Sequence, residues 1–326
     1  MAAYSSNINL AATPLRMKLI AAFFKLIRWP NLFFIALTQC LFYFCVFETQ
    51  LTEPGYHHKH FFFYLLVTAS VVIAAAGYII NDYFDVQIDA VNKPGKVVID
   101  KIIKRRWAII WHWLLSGFGI LLGLYISFKI GNWVIAIANM FCVMLLWLYS
   151  TTFKKKILWG NVIIAALTSW VIVVVYFFCG ANIAVWQQAN IPFDARKFFK
   201  FMILYAGFAF IVSLIREVIK DLEDMEGDAR YKCITMPIAW GVPASKVFTG
   251  VWLVVCIASL AIVQLYAWQS GMWVVTLYSI VLIIFPLLLI LKKLYNASAP
   301  SHYHLLSSYV KIVMLAGILS MLFFIF

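Results

Sequence analysis

Long apolar runs, separated by short polar segments, follow one another along almost the whole chain. A helix needs about 20 mainly apolar residues to cross the hydrocarbon core of a bilayer, and most of these runs approach that length. We therefore predict an all-α membrane protein with nine transmembrane helices bundled around a central cavity. The predicted spans are 31–47, 61–80, 107–128, 132–149, 160–180, 199–215, 247–267, 273–291 and 308–326.

The predicted bundle forms a single domain from residue 14 to residue 326. The small and polar residues 1–13 are predicted to be disordered. Residues 14–29 alternate basic and apolar side chains, a pattern typical of an amphipathic helix at the membrane interface. Pro30 comes directly after it, and proline favours the first turn of a helix, so we expect the first span to begin there.

Two acidic stretches interrupt the apolar pattern, one after the second predicted span and one after the sixth. Residues 81–89 read N-D-x-x-D-x-x-x-D, and residues 220–228 read K-D-x-x-D-x-x-x-D. On a helix, positions i, i+3 and i+7 share one face, so each stretch is predicted to present a row of three carboxylates. The first row is Asp82, Asp85 and Asp89, and the second row is Asp221, Asp224 and Asp228.

The spacing of these two motifs indicates an internal parallel repeat. Asp82 and Asp221 are 139 residues apart, and four predicted spans separate them, so both rows should lie on the same side of the membrane. We expect the second span to match the sixth and the two rows to converge on one cavity. Nine of the 13 acidic residues fall within 82–89 and 217–228, which indicates a site rather than scattered surface charge.

Composition supports the membrane prediction and bears on orientation. Hydrophobic residues make up 65% of the chain and charged residues 12%, whereas a soluble domain carries about 25% charged residues. With the N-terminus in the cytoplasm, 21 of the 26 lysines and arginines fall on the cytoplasmic side. Topology thus explains the net charge of +13 without a nucleic-acid partner. We expect an integral multi-pass protein, in the cell (inner) membrane if bacterial, with its active site facing the cytoplasm.

The chemistry of the site follows from the carboxylates. Six of them near span ends are costly to desolvate unless cations join them. Mg²⁺ takes oxygen ligands and binds phosphate groups. We therefore expect two Mg²⁺ ions to bridge the two aspartate rows to a diphosphate. Metal ions and nearby lysines such as Lys93 stabilise the charge that develops on a departing diphosphate. An allylic prenyl chain would suit the apolar interior of such a bundle.

The double acidic motif in a nine-span chain resembles the UbiA-type intramembrane prenyltransferases. Further segments similar to that family are Arg28-Trp29-Pro30-Asn31, Tyr149-Ser150 with Lys154, Gly160-Asn161 and Arg216-Glu217. The resemblance therefore extends over nearly the whole chain. It implies Mg²⁺-dependent transfer of a prenyl group from a polyprenyl diphosphate to a lipophilic or aromatic acceptor within the bilayer.

The resemblance also implies roles for individual residues. The six aspartates of the two rows would bind the metal and act in catalysis. Asn81 would bind diphosphate together with the first row, and Lys93, Lys154 and Arg230 would contact diphosphate oxygens. The other positions expected to bind substrate are Asn31, Tyr149, Asn161 and Lys220. For Asn31, a role in a helix cap or a turn is the alternative.

Within the family, residues 216–228 followed by Thr235-x-Pro237 resemble most the (geranylgeranyl)glyceryl phosphate prenyltransferases. The predicted acceptor is therefore a prenylglyceryl phosphate, with an aromatic acceptor of a quinone pathway as the alternative. A cation transporter with intramembrane carboxylates is the hypothesis from a different class. Its acids should lie near the middle of the membrane, whereas these lie at span ends beside lysine-rich loops.

Overall fold

The computed structural model describes residues 15–50, 60–93, 95, 97–188 and 193–325, so the predicted disorder of residues 1–13 lies outside the described residues. Within the described ranges, nine helical segments are long and apolar enough to cross a membrane, and the prediction of a nine-span all-α protein is confirmed. The α-helices are α1 (Leu15–Leu26), α2 (Trp29–Leu41), α3 (His60–Asn92), α4 (Arg105–Ile130), α5 (Val134–Thr151), α6 (Trp159–Gln188), α7 (Ala195–Glu223), α8 (Met225–Arg230), α9 (Met236–Ala239), α10 (Gly241–Gln269), α11 (Trp273–Ser279), α12 (Phe285–Asn296) and α13 (Pro300–Leu319).

The two helices that lead into the acidic motifs extend beyond their apolar runs. The run at 61–80 predicts the start of α3 well, but the helix continues to Asn92 and carries the whole first motif. Its last turns keep an inward face, since Ile88 is buried while Phe84 is exposed. Helical periodicity therefore continues after mean hydropathy has fallen, which a search for apolar runs does not register.

A helix precedes the first span, as predicted, and is slightly shorter than expected. Leu26 packs into the bundle whereas Met17 and Phe24 are exposed, so the helix has an apolar outer face. The chain then turns at Arg28, whose backbone is left-handed with φ 52°. That conformation costs a residue with a Cβ about 1–2 kcal/mol. The location of α1 at the membrane interface stays a prediction.

Packing brings the ends of α3 and α7 together. α3 packs along α4 and α5, while α7 packs along α6, α10 and α13. One apolar core surrounds Tyr43 and Phe63, whose rings stack with centroids 3.9 Å apart. A second core surrounds Leu287 and Val310. The short helix α8, directly after α7, lies against α3, so the two acidic motifs meet at one end of the bundle.

Candidate active site

The first acidic row lies on the last turns of α3, within one continuous helix as predicted. Asp85 is buried, and Asp82 and Asp89 are half-buried. Arg28 Nη2 donates to Asp82 Oδ1 at 2.7 Å, and Lys154 Nζ donates to Asp85 Oδ2. Cations from two other parts of the chain, the turn before α2 and the loop after α5, therefore hold this row.

The second row is not carried by one continuous helix, and here the prediction is wrong. α7 ends at Glu223, Asp224 lies between the two helices, and α8 begins at Met225 and carries Asp228. The backbone N–H of Asp224 still donates to the carbonyl of Lys220, at 2.9 Å. The helical pattern of α7 thus extends to Asp224, and the break lies between the second and third acids of the row.

The end of α3 causes this break. In a continuous helix the N–H of Gly227 would donate to the carbonyl of Glu223. It donates instead to Asn92 Oδ1 at 2.7 Å, while Asn92 Nδ2 donates to the carbonyl of Asp224 at 3.0 Å. Lys93 Nζ lies 2.7 Å from Asp224 Oδ2 and 3.6 Å from Glu223 Oε1. Side chains that follow the first motif therefore bind the second motif directly.

The connection between α5 and α6 brings further polar groups to the acids. Asn161 is buried, and its Nδ2 donates to Asp221 Oδ2 at 2.8 Å. Gly160 allows the close approach of this connection, because a Cβ there would lie 3.0 Å from the Cα of Lys154. Tyr149, near the end of α5, interacts electrostatically with Lys154 and Asp221. The structure thus brings three predicted substrate-binding residues, Tyr149, Lys154 and Asn161, to the two rows.

Lys154 lies between the two rows and interacts with both. Burial alone would lower the pKa of its ammonium group, but Asp85 and, more weakly, Asp89 raise it above the ordinary value, so Lys154 is cationic. Asp228 on α8 is also buried, and that burial raises its pKa to about 6 although Lys154 acts in the opposite direction. One ammonium group therefore serves acids from both motifs.

Lys220 contacts an acid that lies outside the two rows. Its Nζ lies 2.9 Å from Glu217 Oε2, and Glu217 Oε1 accepts from Arg216 Nη1 at 3.0 Å. Glu217 is buried, so both cations are held against the last turns of α7. Lys220 thus lies next to the second row without bonding to it, and its contact with substrate stays a prediction.

Three other predicted positions lie at the edges of the cluster. Asn81 is buried, and its Oδ1 has no hydrogen-bond partner within the described part of the chain. Asn31, at the start of α2, interacts with Tyr78 of α3. Arg230, the last residue of α8, is exposed and forms no ion pair with any residue that the structure describes. Their contacts with substrate stay predictions.

Two residues that hold the site were not predicted as site residues. Arg28 belongs to a segment that supported the family resemblance, but nothing in the sequence connects it with Asp82, 54 positions away. Asn92 follows Asp89 by three positions and so continues the i+3 spacing of the first row. That spacing is the feature of the sequence from which Asn92 could have been predicted as a site residue.

The site offers oxygen donors suited to a hard divalent cation. Its six carboxylates are the ligand type that Mg²⁺ takes, and the unpartnered Asn81 Oδ1 is a further oxygen donor. Among the described residues, no three His, Cys, Asp or Glu side chains converge closely enough to hold an ion as they stand. Arg28 and Lys154 each pair with one aspartate of the rows instead, and Lys93 pairs with Asp224 and also with Glu223. The donor types present are therefore those that would hold Mg²⁺.

Sequence comparison shows the family. The model of the UbiA prenyltransferase family matches residues 30–309, and the protein belongs to this family. Digeranylgeranylglyceryl phosphate synthase of Methanosphaera stadtmanae is 27% identical over 252 residues, which cover 75% of this chain and 81% of that enzyme. The enzyme of the same name from Methanothermobacter thermautotrophicus is 31% identical over 191 residues, which cover 59% of each chain.

Solved structures share the fold. A structure of a digeranylgeranylglyceryl phosphate synthase matches with a TM-score of 0.57 at 24% identity, over 94% of this chain and 99% of that one. A UbiA homologue from Archaeoglobus fulgidus, solved with GPP and Mg²⁺ bound, matches with a TM-score of 0.56 at 16% identity, over 92% of this chain and 99% of that one. These likenesses agree with the nine-span helical bundle described above.

Proposed function

We propose that this protein transfers a prenyl group, with Mg²⁺, from a polyprenyl diphosphate to a prenylglyceryl phosphate within the membrane. The observation that carries the proposal is the meeting of two acidic rows from α3 and α7–α8, with Lys93 and Lys154 between them. Carboxylates bind divalent cations, and both the cations and the lysines bind phosphate oxygens. The arrangement therefore suits a diphosphate held through metal ions.

The family and its named relatives support the choice of reaction and acceptor. The UbiA family is a family of prenyltransferases, and the two relatives compared above are digeranylgeranylglyceryl phosphate synthases. Homologues from Archaeoglobus fulgidus have been solved with DMAPP and Mg²⁺ and with GPP and Mg²⁺. A prenyl diphosphate donor and a glyceryl phosphate acceptor are thus the substrates that these relatives favour for this chain.

The residues divide the work of the reaction between them. The aspartates of the two rows would hold Mg²⁺, and a bound Mg²⁺ would supply neutralisation of the diphosphate charge. Lys154 and Lys93, released from Asp85 and Asp224, bind diphosphate oxygens. As the bond from the prenyl carbon to the diphosphate breaks, its electron pair leaves with the diphosphate. The acceptor hydroxyl forms the new C–O bond, and its proton passes to the released diphosphate.

The proposal includes a site on the cytoplasmic face, which the distribution of lysine and arginine supports. Lys156 follows Lys154 on the site side and Lys129 lies in the last turn of α4 on the opposite side, and both are exposed. We expect Lys129→Cys to react with an impermeant maleimide in intact cells, and Lys156→Cys to react only after lysis. The reverse result would contradict this orientation.

Product analysis tests the reaction and the acceptor together. Purified protein is incubated with Mg²⁺, labelled prenyl diphosphates of several lengths, and a prenylglyceryl phosphate, 4-hydroxybenzoate or dihydroxynaphthoate. We expect a product with the mass of the prenylglyceryl phosphate plus one prenyl group. A prenylated aromatic product instead would assign the protein to a quinone pathway. The absence of product with every acceptor would contradict prenyl transfer.

A further inference from the structure

A group of four basic side chains lies beside the acidic rows, and three elements that pack together supply it. One comes from the turn before α2, two from the last turns of α7 and one from the middle of α13, and α13 packs against both α7 and α2. Lys311, on α13, interacts electrostatically with all three of the others. This basic cluster consists of Arg28, Arg216, Lys220 and Lys311.

The cations of the basic cluster outnumber the carboxylates that pair with them. Glu217 accepts from both Arg216 and Lys220, and Arg28 pairs with Asp82. Asp221 follows Lys220 in sequence, but it accepts from Asn161. Lys311 forms no ion pair with any described residue, although it lies on a membrane-spanning helix. Unpaired cations at such positions are costly and usually mark a functional site.

One buried hydrogen-bond donor of the basic cluster, Arg216 Nε, has no partner among the described residues. Nη1 of the same guanidinium bonds to Glu217. A buried donor without a partner costs about 1–3 kcal/mol. An anion with several acceptor oxygens would satisfy Arg216 Nε and neutralise Lys311 together.

The basic cluster adjoins the first acidic row through a shared residue, Arg28. Arg28 belongs to both, because it bonds to Asp82 of the first row and also interacts electrostatically with Glu217. Its guanidinium also lies 5.2 Å from the ring centroid of Tyr78. An anion at the basic cluster would thus lie next to the proposed diphosphate site without sharing its carboxylates, apart from the contact through Arg28.

We propose that the basic cluster binds the phosphate group of the acceptor. This proposal rests on the proposed function. In a glyceryl phosphate the reacting hydroxyl and the phosphate are on the same three-carbon unit, so a phosphate held beside the first row brings that hydroxyl to the prenyl carbon. A phosphomonoester carries about −1.5 to −2 charge at pH 7, more than an aromatic carboxylate, and so matches the surplus of cations better. The basic cluster therefore selects phosphorylated acceptors.

Lys311→Gln tests this site without disturbing an ion pair, because the side chain is exposed and unpaired. Transfer is measured on a prenylglyceryl phosphate and on the same prenylglycerol without phosphate. We expect the variant to raise KM for the phosphorylated acceptor about tenfold, the effect of losing one charge-assisted contact. KM for the donor and the activity on prenylglycerol should not change. Lys311→Arg should restore the acceptor KM, and Lys292→Gln, an exposed lysine on α12, is the matched control.

A binding measurement separates this proposal from the proposed function. Glycerol 1-phosphate, added without Mg²⁺ or donor, should raise the melting temperature of the wild type and of Lys292→Gln but not that of Lys311→Gln. That result supports the site even if transfer fails. Absence of stabilisation in the wild type, an unchanged acceptor KM in Lys311→Gln, or an equal rise of donor KM would each overturn it, even if prenyl transfer is observed.

Discussion

Asn92 binds the backbone at two points where α7 gives way to α8, since its side-chain amide donates to the carbonyl of Asp224 and accepts from the N–H of Gly227. One side chain at the end of α3 thereby fixes the angle at which α7 gives way to α8. This contact sets the relative positions of the two acidic rows independently of any ion pair between them.

Gly227→Ala should disturb this contact. A Cβ at position 227 would lie 2.5 Å from both Nδ2 and Oδ1 of Asn92, so α8 must shift away from α3. We expect a loss of about 1–3 kcal/mol in the free energy of unfolding, and a fall in transfer activity of about tenfold or more because Asp228 moves with α8. The melting temperature and kcat are the measurements. Gly117→Ala on α4, where a Cβ meets nothing within 4 Å, should leave kcat unchanged. Equal effects of the two substitutions would contradict the role of Asn92.

Replacement of one acid in each row should stop transfer without unfolding the protein. Asp85→Asn and Asp224→Asn keep the size of the side chain and remove the charge that binds metal, so we expect kcat to fall by about 100-fold or more. Far-ultraviolet circular dichroism in detergent checks the helices. Glu226→Gln is the matched control, because Glu226 lies in the same segment but is exposed and outside the repeated spacing. A fall of similar size in Glu226→Gln would point to a general charge effect.

Lys154→Gln should weaken binding of the donor more than binding of the acceptor. Lys154 pairs with Asp85 and interacts with Asp228, so it lies where a diphosphate bridging the two rows would be bound. We expect the donor KM to rise about tenfold and the acceptor KM to stay within about twofold. Lys155→Gln, an exposed neighbour in the same loop, should change neither KM. An unchanged donor KM in Lys154→Gln would remove this residue from the diphosphate site.

Removal of Mg²⁺ should abolish turnover and leave the fold intact. Asp82, Asp224 and Asp85 are already paired with Arg28, Lys93 and Lys154, so these three acids do not depend on the ion for a cationic partner. We expect excess EDTA to stop product formation, a small change in melting temperature, and full recovery when Mg²⁺ is added. Turnover that persists in EDTA would contradict the metal–diphosphate mechanism. Cation flux into proteoliposomes without any prenyl donor would instead support a transporter.

The sequence predicts the first row better than the second for a physical reason. The spacing of Asp82, Asp85 and Asp89 is a local property of one helix, and α3 extends through all three. The same spacing at Asp221, Asp224 and Asp228 also favours one helix. There, however, a contact with a residue more than 130 positions away changes the backbone. Local periodicity carries no information about such contacts.

The nine spans follow from hydropathy, but the cations that pair with the acids do not. Most lysines and arginines lie on one side of the predicted membrane. Their side of the membrane therefore does not tell which of them pairs with an acid, Lys154 or Lys155, Arg28 or Arg230. The structure distinguishes them, because Lys154 and Arg28 form ion pairs with carboxylates whereas Lys155 and Arg230 are exposed. Which cation reaches which acid depends on how the helices pack.

The turn at Arg28 connects the site with the surface of the bilayer. Arg28 ends the turn from α1 and holds Asp82, and Lys25 of α1 donates to the carbonyl of Gly95 just after α3, at 3.1 Å. If α1 lies among the lipid headgroups, a change in its depth or tilt is transmitted to the first acidic row through these two contacts. Lipid composition then becomes a variable of the reaction, and rates measured in detergent should differ from rates in anionic vesicles.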